Sequence, residues 1–226
     1  MTYLNKTKIS AFLLASSILG WPVLAVADDL TIGLDFSDSY ALITDKHYAA
    51  EVAKNAADEI AKMSKGDVLR IQAFGTYGVS SLKIEKKLNF GYPPKKAAIE
   101  VRTVIEQIPE MFANGRFEPQ QQTGIVAFVS ENAGRMKCGA KSGRLIAYTD
   151  GVEWTSQTDG QKLADGKAKL PVYGTGFQKC SLQIRGIGYF AGTGSDYVIV
   201  HNLTNAWNAW TAQVGFNKDS SVSSSL

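Results

Sequence analysis

The chain has 226 residues, of which 45% are hydrophobic and 20% charged, and a formal net charge of +3. That composition excludes an extended low-complexity or disordered chain and fits one globular domain with a sizeable core. Two of the positive charges, Lys6 and Lys8, lie in the first 27 residues, which contain no acid, so the remainder carries a net +1. This excludes nucleic-acid binding driven by charge.

Lys6 and Lys8 precede an apolar run from Ile9 to Val26, and Ala25-Val26-Ala27 is a small-x-small site followed by Asp28-Asp29. Residues 1–27 therefore read as a secretory signal peptide, with an uncleaved membrane anchor as the rival reading. Cleavage leaves no stable membrane span and predicts a periplasmic or secreted domain over residues 28–218. Residues 219–226 are dominated by serine and read as a flexible tail.

The first predicted strand, Leu30-Thr31-Ile32-Gly33-Leu34, ends in Asp35-Phe36-Ser37-Asp38-Ser39, where a carboxylate and two hydroxyls stand two residues apart. An alanine-rich amphipathic helix follows from about Thr44 to Met63, with Ala50, Ala53, Ala57, Ile60 and Ala61 at helical spacing. Val68 to Gly75 alternates as a strand, and a shorter polar strand at a sheet edge is expected around Lys87 to Phe90. Pro93-Pro94 opens a helix carrying Ala97, Val101, Val104, Ile105 and Ile108, which Pro109 kinks or ends.

The polar loop Glu118 to Gln122 leads through Thr123-Gly124 into an apolar helix reaching about Met136. Thr123 at this junction has two readings, an N-cap or an oxygen ligand. Arg144 to Tyr148 is a second buried strand, again ending in a carboxylate, Thr149-Asp150-Gly151. The Gly-, Thr- and Lys-rich stretch from Val152 to Gly176 reads as a long surface excursion with a short helix near Gln161–Ala164, and its Trp154 fits either packing or an exposed contact. Ser181 to Phe190 is a further strand. Ser195-Asp196 starts a last helix with Val200, Leu203, Trp207, Trp210 and Val214 on one face, although Tyr197 to Val200 alone also suits a strand.

Strands alternating with helices imply an α/β fold with a doubly wound, mostly parallel sheet flanked by helices. Sites in such sheets form beyond the carboxyl ends of the strands, so Asp35, Ser37, Ser39, Thr123 and Asp150 are expected on one rim. Cys138 and Cys180 fall at the opposite, amino-terminal rim. An even cysteine count in an exported chain predicts that they form a disulfide, and His47 and His201 are too few to complete a zinc site.

Asp35-x-Ser37-x-Ser39, then Thr123, then Thr149-Asp150-Gly151 resembles, in residue type and order, the metal-ion-dependent adhesion site of von Willebrand factor A (VWA) domains. The resemblance spans roughly Asp29 to Gly215 and implies a Rossmann-like VWA fold. It further implies magnesium, or manganese, bound by the Ser37, Ser39 and Thr123 hydroxyls, with Asp35 and Asp150 ligating directly or through water. The implied activity is adhesion rather than catalysis. A protein partner would complete the coordination with an Asp or Glu carboxylate, in an envelope or secretion-related assembly.

The chemistry agrees, because a hard cation takes oxygen ligands, and only two carboxylates leave it seeking another anion. Asp38 reads as a solvated or capping residue. A hydrolase using magnesium on the same rim is the alternative function, and a scaffold with a vacant site is the blandest. A phosphatase of the haloacid dehalogenase type requires a second aspartate where Ser37 stands. There is no G-x-S-x-G elbow and no glycine fingerprint for a dinucleotide after the first strand.

Overall fold

The computed structural model describes residues 28–76, 82–192 and 196–226. The expected signal segment, residues 1–27, lies outside them.

Alternation in Leu30-Thr31-Ile32-Gly33-Leu34-Asp35 gives strand β1 (Asp29–Asp35) two different faces. Leu30, Ile32 and Leu34 are buried in one core, together with helices α1 (Lys46–Ala61), α2 (Pro94–Glu106) and α3 (Ile108–Ala113). The opposite face carries Thr31, Gly33 and Asp35 toward α4 (Ile125–Arg135), where the Thr31 hydroxyl donates to Met136 Sδ at 3.3 Å. A side chain at Gly33 would collide with the Phe128 ring of α4 and with Phe74, which stack at 4.6 Å between centroids. Glycine at this position lets α4 lie close against β1.

Strands β2 (Val68–Phe74), β3 (Lys83–Lys87), β4 (Gly143–Tyr148), β5 (Cys180–Arg185) and β6 (Ser221–Ser223) complete a six-stranded sheet of order β3-β2-β1-β4-β5-β6. Every pairing is parallel except β2 with β3. The second core holds α4 and α6 (Tyr197–Val214), and Leu163 of the short α5 (Gly160–Ala164) joins them. The sheet is thus doubly wound with helices on both faces, as expected. Strand order reverses between β1 and β4, and at such a point the loops beyond the strand ends splay apart and leave a crevice. In register, Leu34 lies opposite Tyr148, so Asp35 and Thr149 emerge level from adjacent strands.

Several boundaries differ from expectation. The edge strand is Lys83–Lys87, not 87–90, because Asn89 turns the chain by accepting the amides of Gly91 and Tyr92. The helical run from Pro94 breaks at Gln107, where Pro109 occupies the first turn of α3. Tyr197 to Val200 is helical, since Asp196 caps α6 by accepting Val198 N at 2.7 Å. The serine-rich segment 219–226, expected to be flexible, contributes β6. The Ser220 hydroxyl accepts Leu182 N at 2.9 Å, and Gly186 N and Ile187 N both reach Ser223 O, so neighbouring backbone compensates for weak strand propensity.

Cys138, just after α4, and Cys180, the first residue of β5, form the expected disulfide with Cα atoms 5.1 Å apart. Among the described residues no helix is long and apolar enough to cross a membrane.

Candidate metal centre

Asp35 ends β1 fully buried, and both its oxygens are engaged. Oδ1 accepts the Ser37 amide at 2.8 Å and Oδ2 the Thr149 hydroxyl at 2.6 Å. The first bond is an Asx-type turn that folds Ser37 back over the strand end. The Ser37 and Ser39 hydroxyls stand 3.3 Å apart, and Ser39 Oγ donates to Asp150 Oδ2 at 2.7 Å. Asp150, also fully buried, accepts Val152 N at 2.9 Å through its other oxygen. One continuous bonded chain therefore runs from the first loop to the loop after β4.

Gly151 fixes that second loop. It sits at φ +83°, its carbonyl accepts the Trp207 indole N–H at 2.8 Å, and a side chain there would strike Ile187. Thr149 Oγ1 accepts Gly151 N at 3.1 Å while donating to Asp35, so the Thr-Asp-Gly turn and the first loop share one hydroxyl.

Thr123 reaches this rim by backbone pairing. Its N–H and carbonyl bond those of Trp154 at 2.9 and 3.0 Å, and Gln120 of the same loop bridges to Ser37. Thr123 does not cap α4. The N-cap is Gly124, which makes no side-chain bond, and the amide of Val126 is met instead by Glu153 Oε2 at 3.0 Å. The Thr123 side chain is buried, 3% exposed, and its hydroxyl joins none of the bonds linking Asp35, Ser37, Ser39 and Asp150. Asp38 is exposed, as expected of a solvated residue.

Burial, and after it the charge of Asp150, together raise the Asp35 carboxyl from its usual range to about 7 against the Thr149 and Ser37 hydrogen bonds. Burial likewise lifts Asp150 to about 6, opposed by the bonds from Ser39 and Val152. Among the described residues neither carboxylate has a cationic partner, and the neighbouring groups that hold them are neutral hydroxyls and amides.

Two residues at this rim carried no signal of their own in the sequence. Gln120 locks three segments together: its amide donates to Phe36 O, its carbonyl accepts Asp38 N, and Oε1 accepts Thr76 N at 2.6 Å. Glu153 caps α4 from a different loop, and burial pushes it to about 8 despite the Val126 and Ile125 amides.

The assembled donors are all oxygen, without imidazole or thiolate, which suits a hard cation rather than zinc or copper. Among the described residues there is no cluster of three or more His, Cys, Asp and Glu able to hold a metal, so any cation here would depend on the hydroxyls. His47 is exposed beside Glu51, and His201 is exposed beside Asn205.

No family model matches the chain, and no curated protein matches it. Solved structures do. One is BatB, a conserved hypothetical protein from Bacteroides thetaiotaomicron (14% identity, TM-score 0.43, covering 88% of this chain and 92% of that one). Another is the pilus adhesin SpaC from Lactobacillus rhamnosus GG in its open conformation (16%, 0.44, 86% and 28%). A third is a von Willebrand factor type A protein from Catenulispora acidiphila (17%, 0.38, 79% and 37%). At such identities and scores these likenesses carry nothing about the site or its ligand.

Proposed function

We propose that the protein is an exported, metal-dependent protein-binding domain of the VWA type. The observation that carries this reading is the bonded chain Ser37–Ser39–Asp150, with Asp35 beside it, at the crevice where strand order reverses. Ser37, Ser39 and Thr123 would hold magnesium or manganese through their hydroxyls, and Asp35 and Asp150 would ligate it or orient those hydroxyls. The donor set fits such an ion, because two buried carboxylates with no cationic partner among the described residues are stabilised when a cation supplies the missing charge.

When bound, the ion supplies a Lewis-acidic position for one further oxygen ligand. With only two carboxylates nearby, that ligand is best an acidic side chain from a partner protein. The chain's own residues set the rim. Asp35 and Thr149 tie the two loops, Gln120 holds the third, and Trp154, 48% exposed as a residue, pairs with Thr123 through its backbone. Binding is favoured over hydrolysis because, among the described residues, neither histidine bonds a rim hydroxyl: His47 pairs with Glu51 and His201 with Asn205. The disulfide supports export to an oxidising compartment, periplasmic or extracellular.

Calorimetric titration of the protein with magnesium and manganese tests the reading. Saturable binding is expected, weakened roughly tenfold or more in Ser37→Ala and Thr123→Ala without loss of the folded circular dichroism spectrum. No heat with either metal would leave a scaffold with a vacant site. Turnover of a phosphate ester dependent on the same hydroxyls would establish the hydrolase instead.

A further inference from the structure

We propose that the cavity between the first turns of α4 and the loop after β4 binds an organic cation, a guanidinium or ammonium group, received by Glu153, Ser130 and Tyr173. The cavity measures about 560 Å³, within the range of small-molecule sites, and is lined by residues of both segments together with Tyr173.

Two buried polar atoms in its wall lack partners. Glu153 is fully buried and spends Oε2 on the Val126 amide, while Oε1 has no hydrogen bond. The Ser130 hydroxyl oxygen, one turn further along α4, is equally buried and equally unbonded. Orphaned groups of this kind are uncommon in folded proteins, and here both line one cavity.

The charge of the wall selects the ligand. Glu153 and Glu131 line it, and among the described residues no lysine, arginine or histidine does. Glu131 pairs with Arg135 at 3.0 Å, outside the lining. An anion would ordinarily favour a helix N-terminus, but the Glu153 carboxyl already occupies that position on α4 and takes up the Val126 amide. A guanidinium brings several donors in a plane, enough for Glu153 Oε1 and Ser130 Oγ together. Tyr173, half exposed and held by its hydroxyl bond to Gln157 Oε1 at 2.7 Å, offers a ring face to the same cation.

The site is separate from the metal reading, so the test is run with chelator present. Amide resonances of the protein are followed during titration with agmatine, and with N-butylacetamide as a neutral control. Saturable shifts at Ala127, Ser130 and Thr155 are expected with agmatine alone. Affinity should fall about tenfold in Glu153→Gln and several-fold in Tyr173→Ala. Tyr173 is a surface residue, so its variant keeps the test valid if Glu153→Gln fails to fold. Absence of saturable shifts, equal binding of the neutral control, or unchanged affinity in the folded variants overturns the proposal. So does a crystal structure soaked in agmatine in which only water meets Glu153 and Ser130.

Discussion

Glu153 accepts the backbone N–H of Val126, 27 residues earlier in the chain, at 3.0 Å and so caps the first turn of α4. The cap is costly when ionised. Burial raises Glu153 from 4.5 to about 8, so the folded protein holds a proton that the unfolded chain releases. Between those two values the native state binds more protons, and stability therefore falls as pH rises from 4.5 through 8. Glu153→Gln keeps an accepting oxygen and removes the titration. Thermal unfolding in chelator should show the variant close to the wild type near pH 5 and more stable by roughly 1–3 kcal/mol at pH 9. A wild-type curve parallel to that of the variant would contradict the assignment.

Glu59 behaves in the opposite sense. It lies on α1 with its side chain 9% exposed, bonded to Arg144 at 2.8 Å, Arg185 at 3.1 Å and Lys62 at 3.0 Å. Burial alone would raise its carboxyl, but the bonds from Lys62, Arg185 and Arg144 outweigh that and hold it below 4.5. Its contribution is then present above pH 4.5 and lost as pH falls through the lowered value. Glu59→Ala leaves Arg144 and Arg185 without this partner and should cost about 3 kcal/mol in denaturant unfolding at pH 7. The loss should shrink toward pH 3.

Sequence periodicity revealed most of the elements here, but faces and edges depended on tertiary detail. Ala50, Ala53, Ala57, Ile60 and Ala61 suggest one stripe of α1, whereas the buried face is Tyr48, Ala49, Val52, Ala53, Ala56 and Ile60. In so alanine-rich a helix several stripes look alike, and the larger Tyr48 and Val52 decide which one packs. The D-x-S-x-S loop and Thr-Asp-Gly were legible because short-range geometry ties oxygen donors to strand ends.

Gln120 and Glu153 were not legible. Each acts on backbone groups distant in sequence, and nothing local marks a glutamine or glutamate for that work. Thr123 shows the same limit from the other side. At a loop-to-helix junction a threonine reads as a cap, yet Glu153 holds the α4 amide and leaves Thr123 out of that role.

The disulfide and the candidate centre lie at opposite ends of the strands, so they should be separable. Cys180 begins β5, while Ser39 and Asp150 stand beyond the carboxyl ends of β1 and β4. Joining residues 42 apart, the bridge constrains the unfolded chain by about 3–4 kcal/mol in the chain-entropy model. The Cys138→Ser/Cys180→Ser double variant should lose stability of that order in urea while keeping the wild-type magnesium isotherm at temperatures where it stays folded. A metal affinity that falls with the disulfide would mean that the two rims are coupled through β4 and β5.

Asp150→Asn separates stability from metal binding most sharply. In the metal-free protein Asp35 and Asp150 are both fully buried and raise each other's cost of ionisation, and Ser39 donates to Asp150 at 2.7 Å. An amide at position 150 removes the repulsion: its one oxygen keeps the bond from Val152 N, and its NH2 group takes the place of the oxygen facing Ser39, whose hydroxyl turns to accept. The metal-free variant should therefore be more stable than the wild type by about 1–2 kcal/mol at pH 8, measured by urea unfolding in chelator. Under the proposed function the same change removes one of the charges that attract the cation. Saturating magnesium should then stabilise the wild type, by the mass-action term expected when a ligand binds only the folded state, and leave Asp150→Asn unmoved. If magnesium shifts both proteins equally, the cation is bound elsewhere and the rim's carboxylates need another explanation.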